Sequence, residues 1–433
     1  MKIAYFTHQY FPRHIGGTEV YLRGLARRAA ASGHEVLIIT YHESPSDNPR
    51  DFGVHRTEVD GLPVLEIHYN LSLAPQPALY EYNNPFIANL VRQELETFAP
   101  DLVHALHTMK LSGAVLESCY ALGIPAIVTM CDFWYICPRH TLLKWDGSVC
   151  HGPRHPFSCV KCLQHTHGFA SQKLYDRRKP FSRPQRENWT AFVRDVGAVR
   201  KRKGYLKQTV LQANRILALS SFQKKMLVKN GFPAKRIEVC EHGLETAELA
   251  SNTPQRNGAV RFGFIGSLVS HKGAHILIEA LKKVPELKAK CFLHGPVREH
   301  DAYTRDLVAL ARGDKRIEFR GGFSPHQLGA ILQETDIFVM PSLWYENEPL
   351  VVKAALHMGV PIIASDIGSL PGMLGQGTKS WLVKPGNAAA LAEALQTAVR
   401  DFDKLDIRPS PIKSMDRHAP EIFAIYEEEK QKI

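Results

Sequence analysis

The chain has 433 residues, 44% of them hydrophobic and 22% charged, and Lys and Arg exceed Asp and Glu by 54 to 43. Composition this near the globular average excludes a disordered, collagen-like or coiled-coil protein, and the length implies two or three domains. No apolar run reaches the roughly 18 residues of a membrane span, and the opening Met1-Lys2-Ile3-Ala4-Tyr5-Phe6 lacks the cleavage site of a signal peptide. A cytoplasmic protein is expected.

In chain order, short apolar runs alternate with longer helical patterns. Strands are predicted at Lys2–Thr7, Glu35–Thr40, Pro63–Ile67, Asp101–Ala105, Pro125–Thr129 and Arg215–Leu219. Several are nearly continuous Val, Ile, Leu and Ala, the pattern of parallel strands covered on both faces. Helices fit between them at Thr18–Ala31, Pro85–Thr97 and Leu111–Leu122. Ser32-Gly33 stops the first of these. A poorly periodic insertion runs from about 132 to 186.

The alternation then restarts. Strands are predicted at Val260–Ile265, Ala289–His294, Arg316–Phe319, Asp336–Met340 and Pro361–Ser365. Helices are predicted at Gly273–Val284, Pro325–Gln333, Leu350–His357 and Ala388–Arg400, with a last one at Pro420–Lys432. Two doubly wound, Rossmann-like α/β domains follow from this pattern. The expected boundaries are 1–245, 246–405 and a C-terminal segment 406–433 that returns to the first domain, with the polar stretch 245–258 as linker.

Two turns carry the first chemical signal. Gly16-Gly17 lies between the first strand and its helix, and Gly266-Ser267 through Lys272-Gly273 occupies the same place in the second half. Backbone N–H groups at a Gly-rich turn and helix start bind anions, and Lys272 can set its ammonium on a phosphate. Two such turns in separate domains suggest carboxyl edges facing each other across a cleft, with a diphosphate between them. Further on, Pro341-Ser342-Leu343-Trp344-Tyr345-Glu346-Asn347-Glu348-Pro349 opens a helix. A carboxylate there suits sugar hydroxyls while adjacent amides meet a phosphate; helix capping is the plainer role for Glu346.

Together these motifs resemble glycosyltransferase family 4, retaining enzymes of the GT-B fold that use nucleotide sugars. The resemblance runs from Gly16-Gly17-Thr18-Glu19 to Pro361–Gly368. It implies a nucleotide diphosphate sugar as donor, with Gly16, Gly17, Gly266, Ser267 and Lys272 by its phosphates. It places Glu346 on the donor sugar and Asn347, Pro349, Leu350 and Val351 beside it, Lys272 and Glu346 being the catalytic pair. The acceptor would be a glycan or lipid-linked glycan in cell-surface polysaccharide assembly, with His107, Cys131 and Asp132 on its side. No catalytic metal is implied. Four positions depart from the family pattern: Ala354 replaces the second glutamate, Ser267 a basic residue, Cys131 a histidine and Gly372 an acidic residue. Losing a ribose contact at Ala354 costs about 1–3 kcal/mol. The departures leave a competing class open, an inactive homologue serving as a binding or partner subunit.

Two features lie outside this scheme. Cys137, Cys150, Cys159 and Cys162 cluster in the insertion, and four thiolates make a closed tetrahedral site, for zinc first and an iron–sulfur cluster second. Four reduced thiols are the alternative. The resemblance extends to a subset of the family with such a cysteine-rich insertion. Between Arg177 and Lys207 stand eleven basic residues against Glu187 and Asp195, nine of the net +11. With Trp189, Phe192, Val193 and Val196 on one side, segment 173–207 suits an anionic membrane surface on the inner face, or packing on its own domain. No nucleic-acid motif accompanies it.

Overall fold

The computed structural model describes the chain apart from residues 165–182, 248, 250–257, 299, 376–378, 406 and 433, and apart from the side chains of 49, 164 and 183–192. Most of the expected linker and the aromatic part of the basic segment (Trp189 and Phe192) lie outside the described residues. The chain divides into two units, Met1–Glu241 with Ala419–Ile433, and His242–His418.

Unit 1 is built on an eight-stranded sheet. Its strands are β1 (Lys2–Thr7), β2 (Glu35–Glu43), β3 (Gly53–Val59), β4 (Leu62–Tyr69), β5 (Leu102–Ala105), β6 (Ala126–Met130), β7 (Arg215–Ala218) and β8 (Ile237–Val239), in the order β3-β4-β2-β1-β5-β6-β7-β8. All neighbours are parallel except β3 and β4. The central strands β1, β5 and β6 are buried almost throughout, which is why their sequences are unbroken apolar runs. The β3–β4 hairpin departs from the expected all-parallel sheet. Asp60 (φ 54°) and Gly61 (φ 75°) join these strands, the left-handed pair that a tight hairpin turn requires. β3 escaped the apolar-run criterion because His55, Arg56, Thr57 and Glu58 face solvent at the sheet edge.

Two helices differ from expectation for local reasons. Lys110 (φ 67°) and Ser112 (φ 72°) take left-handed conformations, so the helix predicted from Leu111 begins only at Ala114. The last helix spans Met415–Lys430 with Pro420 inside it, and Ser414 Oγ accepts the Arg417 N–H at 3.4 Å near its start. This helix is latched to the unit 1 sheet. Tyr426 Oη lies 2.6 Å from His104 Nδ1, and His104 Nε2 lies 2.8 Å from Thr129 Oγ1. Arg215 adds bonds of 2.6 Å to both Glu428 and Glu429.

Unit 2 carries a six-stranded parallel sheet, β9 (Val260–Ile265), β10 (Ala289–His294), β11 (Ile317–Gly321), β12 (Ile337–Met340), β13 (Ile362–Ser365) and β14 (Ser380–Val383), in the order β11-β10-β9-β12-β13-β14. Its core packs Leu277, Ile278 and Leu281 of helix Ala274–Lys283 and Leu391 and Leu395 of helix Ala388–Asp401 with Phe262, Leu293 and Ile337 of the strands. Each such fully buried Leu, Ile or Phe stabilises the fold by about 1.5–3 kcal/mol. Strand order grows outward through β9, β10 and β11, then resumes on the other side of β9 with β12. Ligands of open α/β sheets bind at such a reversal, outside the carboxyl ends of the strands.

The four cysteines of the expected metal centre stand on several local supports. Cys137 sits in a loop, Cys150 follows the Leu143–Val149 bridge, and Cys159 and Cys162 lie on helix Pro156–Gln164. Among the described residues no group of three or more His, Cys, Asp or Glu is placed to hold a metal ion, although Cys137, Cys162 and Cys150 lie close enough to Cys159 to add to the effect of burial on its thiol. Burial raises the Cys137 thiol to about 11 and the Cys159 thiol to about 12. Packing holds the segment instead. Val160 and Leu163 pack on Val199 of helix Arg183–Leu211, with Val196 beside them, while Val193 is exposed. From that same helix Arg202 reaches Glu81 Oε2 at 2.8 Å and the Trp134 carbonyl at 2.8 Å. No helix of the described residues is long and apolar enough to cross a membrane.

Candidate functional site

The turn after β9 and the loop after β12 meet at the strand-order reversal of unit 2. Gly266 (φ 151°) leaves the strand, a short 3-10 turn Ser270–Lys272 follows, and Gly273 (φ 77°) begins the helix. A Cβ on Gly273 would lie 2.0 Å from the Pro341 carbonyl oxygen, so only glycine lets the two loops close up. The Leu343 N–H donates to the His271 carbonyl at 2.8 Å and ties them together.

Lys272 and Glu346 meet across this seam. Lys272 Nζ lies 2.8 Å from Glu346 Oε1, which also accepts from Ser342 Oγ at 2.7 Å and Trp344 Nε1 at 2.6 Å. The Lys272 ammonium stands 5.1 Å from the Trp344 ring centroid, a cation–π distance. The carboxylate is 4% exposed and the lysine side chain 23%, so the ammonium is the member that reaches solvent. From the next strand, Gly368 (φ 67°) presses on the Glu346 backbone, where a Cβ would come within 2.5 Å of its carbonyl oxygen. Ser369 N–H donates to that same oxygen at 2.9 Å. Sequence reasoning assigned no role to Ser342, Trp344 or Gly368, although all three lay within its motifs.

Around this pair, Ser267 is exposed, Asn347 is buried, and Pro349 precedes helix Leu350–His357, which opens with Leu350 and Val351. Ala354 is fully buried in that helix, so no carboxylate replaces the absent second glutamate there. The residue before it belongs to an ion pair that the sequence did not suggest. Lys353 Nζ pairs with Glu348 and donates to the His242 carbonyl, and Glu348 Oε2 accepts the His242 N–H at 2.7 Å. Lys353 and Glu348 are almost entirely buried, so each needs the other.

In unit 1, Gly16 caps helix Gly17–Ala31 from an extended conformation, and a Cβ on it would lie 2.5 Å from Glu19 Oε2. Close by is a cluster of titratable groups. The Met109 N–H donates to His107 Nδ1 at 3.1 Å, so the His107 proton is on Nε2, which donates to Asp132 Oδ2 at 2.8 Å. Asp132 Oδ1 accepts the Trp134 N–H at 2.7 Å. Burial pushes the Asp132 carboxyl up, yet His107 outweighs it and holds the group below the usual carboxylate range. Both nitrogens of His107 are thus engaged within the protein. Asp132 carries the charge, and His107 positions it.

The His8 ring lies tilted against His107, with centroids 4.2 Å apart and planes at 38°, and His8 Nδ1 lies 3.8 Å from Glu19 Oε1. Burial lowers His8 and raises Glu19, so both incline to their neutral forms. Neither His8 nor Glu19 was singled out as a site residue from sequence. Cys131 is half-buried beside Asp132.

A glycine-rich turn bearing Lys272, beside the buried carboxylate of Glu346 on the second of two Rossmann-like sheets, fits the GT-B fold of glycosyltransferases. Solved structures share that architecture: sucrose-phosphate synthase of Thermosynechococcus elongatus (TM-score 0.66, 17% identity, 99% of this chain and 98% of that one) and Anabaena HepE in complex with UDP and glucose (TM-score 0.60, 17% identity, 100% and 98%). The chain belongs to Glycosyltransferase Family 4, whose model matches residues 15–248, and the model for glycosyl transferases group 1 matches residues 247–408. Among relatives, the amylovoran biosynthesis glycosyltransferase AmsK of Erwinia amylovora is 27% identical over 194 residues, 42% of this chain and 47% of AmsK. The match thus spans about half the length of that relative.

Proposed function

We propose that the protein transfers a sugar, with retention at the anomeric carbon, from a nucleotide diphosphate sugar to a glycan or lipid-linked glycan. The Lys272–Glu346 pair at the strand-order reversal carries this reading. In it, unit 2 is the donor unit and unit 1 the acceptor unit. Lys272 and the amides of the Gly266–Gly273 turn receive the departing diphosphate and stabilise its charge without reorganisation. Glu346, released from Lys272, accepts sugar hydroxyls, with Asn347 and the Pro349–Val351 backbone beside the sugar. On the acceptor side the Asp132 carboxylate, set by His107, takes the acceptor hydroxyl, with Cys131 adjacent. The leaving phosphate oxygen is the base, so no nucleophilic carboxylate and no catalytic metal enter.

Family membership and the AmsK match support a role in polysaccharide assembly, and the HepE complex with UDP and glucose supports a nucleotide-sugar donor. We place the protein in the cytoplasm, at the inner membrane face where lipid-linked acceptors lie, with the cysteine-bearing segment as a structural appendage of unit 1. A buried Ala354 favours the second reading, a fold retained as a partner subunit without turnover. Melting temperatures with UDP-, GDP-, ADP- and TDP-glucose separate the two. At least one donor is expected to stabilise the protein, and Lys272→Ala to remove the shift. A panel without any shift sinks the transferase reading.

A further inference from the structure

The cysteine-bearing segment between β6 and helix Arg183–Leu211 carries two exposed aromatic side chains on separate supports. The first stands on a tight turn. Leu143 and Val149 pair as an antiparallel bridge, and the Gly147 N–H donates to the Lys144 carbonyl at 3.0 Å to close the turn Lys144-Trp145-Asp146-Gly147. Gly147 takes the left-handed conformation (φ 79°) and Asp146 Oδ1 accepts the Ser148 N–H at 2.9 Å, so glycine and aspartate build this turn. Nothing in it requires a tryptophan, yet Trp145 stands at its apex, 43% exposed. The second aromatic, Phe157, is 51% exposed in the first turn of helix Pro156–Gln164.

A common face joins them. Phe157 and Lys161 stand one helical turn apart on the same side of their helix, and Lys161 Nζ lies 3.9 Å from the Trp145 ring centroid. The His155 ring stacks on Phe157, with centroids 5.1 Å apart and planes at 22°. Lys144 precedes the tryptophan and Arg154 precedes the histidine, and both are exposed. Residues 137–164 hold four Lys and Arg against one carboxylate, Asp146, which already serves the turn.

Large aromatic rings held at a surface by rigid supports mark a place that something apolar covers. The cations around them say what else the cover carries. At the boundary of a bilayer, indole and phenyl rings enter between headgroups and acyl chains, while Lys and Arg meet lipid phosphates. A glycan is the poorer match, because sugar hydroxyls need carboxylate or amide acceptors and Asp146 is the one carboxylate of the segment. We propose, resting on the inner-face placement above, that this face docks on an anionic phospholipid bilayer, with Trp145 and Phe157 inserted at the headgroup boundary and Lys144, Arg154 and Lys161 on lipid phosphates. The segment is then the part of unit 1 that meets the membrane.

Sedimentation of the full chain with vesicles of equimolar phosphatidylglycerol and phosphatidylcholine, and with phosphatidylcholine alone, tests this assignment. Wild-type protein is expected to bind the anionic vesicles and to leave the neutral ones in suspension. Lys144→Gln with Lys161→Gln should weaken binding about thirtyfold, each cation near an anionic surface contributing about fivefold. Trp145→Ser with Phe157→Ser should weaken it about tenfold or more. Trp145→Phe keeps a ring on the turn, so it should bind within about threefold of wild type but lose most of the quenching of tryptophan fluorescence by brominated lipid. That variant also covers the case in which the double serine variant fails to melt cooperatively. Loss of binding with the charge pair but not with the aromatic pair would reveal a plain polyanion contact and overturn the proposal. If both pairs bind like wild type, another surface docks, and the assignment falls while the inner-face placement stands. If wild-type protein binds neither vesicle, both fall together, and the donor reading, which no arm of this assay touches, keeps its own test.

Discussion

Glu346→Gln and Lys272→Ala should move nucleotide affinity in opposite directions. In the structure Lys272 Nζ is held 2.8 Å from Glu346 Oε1, and a nucleoside diphosphate must win the ammonium from that carboxylate. A charge-assisted hydrogen bond contributes about 1.5–3 kcal/mol, which partial exposure of the lysine reduces to about 1 kcal/mol. Glutamine keeps the acceptor for Ser342 and Trp344 but gives up the negative charge. The expected result is about fivefold tighter binding of the nucleoside diphosphate, with sugar transfer at least tenfold slower because the sugar loses its acceptor. Lys272→Ala removes the phosphate contact itself, about 2 kcal/mol or roughly thirtyfold in Kd. Calorimetry with the best binder among UDP, GDP, ADP and TDP measures both. Equal weakening by the two substitutions would refute the idea that they compete for one ammonium.

The remaining predictions concern stability. Lys353→Met strands a buried Glu348 and should cost about 3–5 kcal/mol by urea unfolding of unit 2, and adding Glu348→Gln should recover most of it. Tyr426→Phe leaves buried His104 Nδ1 without its partner, and a loss of about 1–3 kcal/mol is expected in the unit 1 transition. Asp132 has a folded pKa below its unfolded value, so its contribution is present above the ordinary carboxylate range and disappears as pH falls through the lowered value. Asp132→Asn should accordingly flatten the acid limb of the stability curve, and an unchanged limb would show that the His107 contact contributes little.

Much of this was legible because periodicity and glycine placement act locally. β9 and β10 lie at their predicted bounds, and Lys272 meets Glu346 as two motifs at adjoining strand ends allow. What escaped was decided by tertiary context. Lys353 and Glu348 read as surface charges, and nothing in the spacing shows that they are buried together. β3 is polar because it is an edge strand, yet Asp60-Gly61 was a hairpin signal in plain sight. The four cysteines have ligand-like spacing, and a loop, a bridge and a helix bring them near one another, yet among the described residues no group of three or more is placed to hold a metal ion. His107 was named as an acceptor-side residue, and only its bonds to the Met109 N–H and Asp132 reveal that it has no nitrogen left for a substrate.

The seams among Gly266 and Gly295, Gly273 and Pro341, and Gly368 and Glu346 are main chain laid against main chain, with no side chain between. The spacing of the loops is therefore independent of the residues they display. An exposed position such as Ser267 can be exchanged without altering the frame that carries it. A lineage can change what it recognises by altering such side chains and leave its folding untouched.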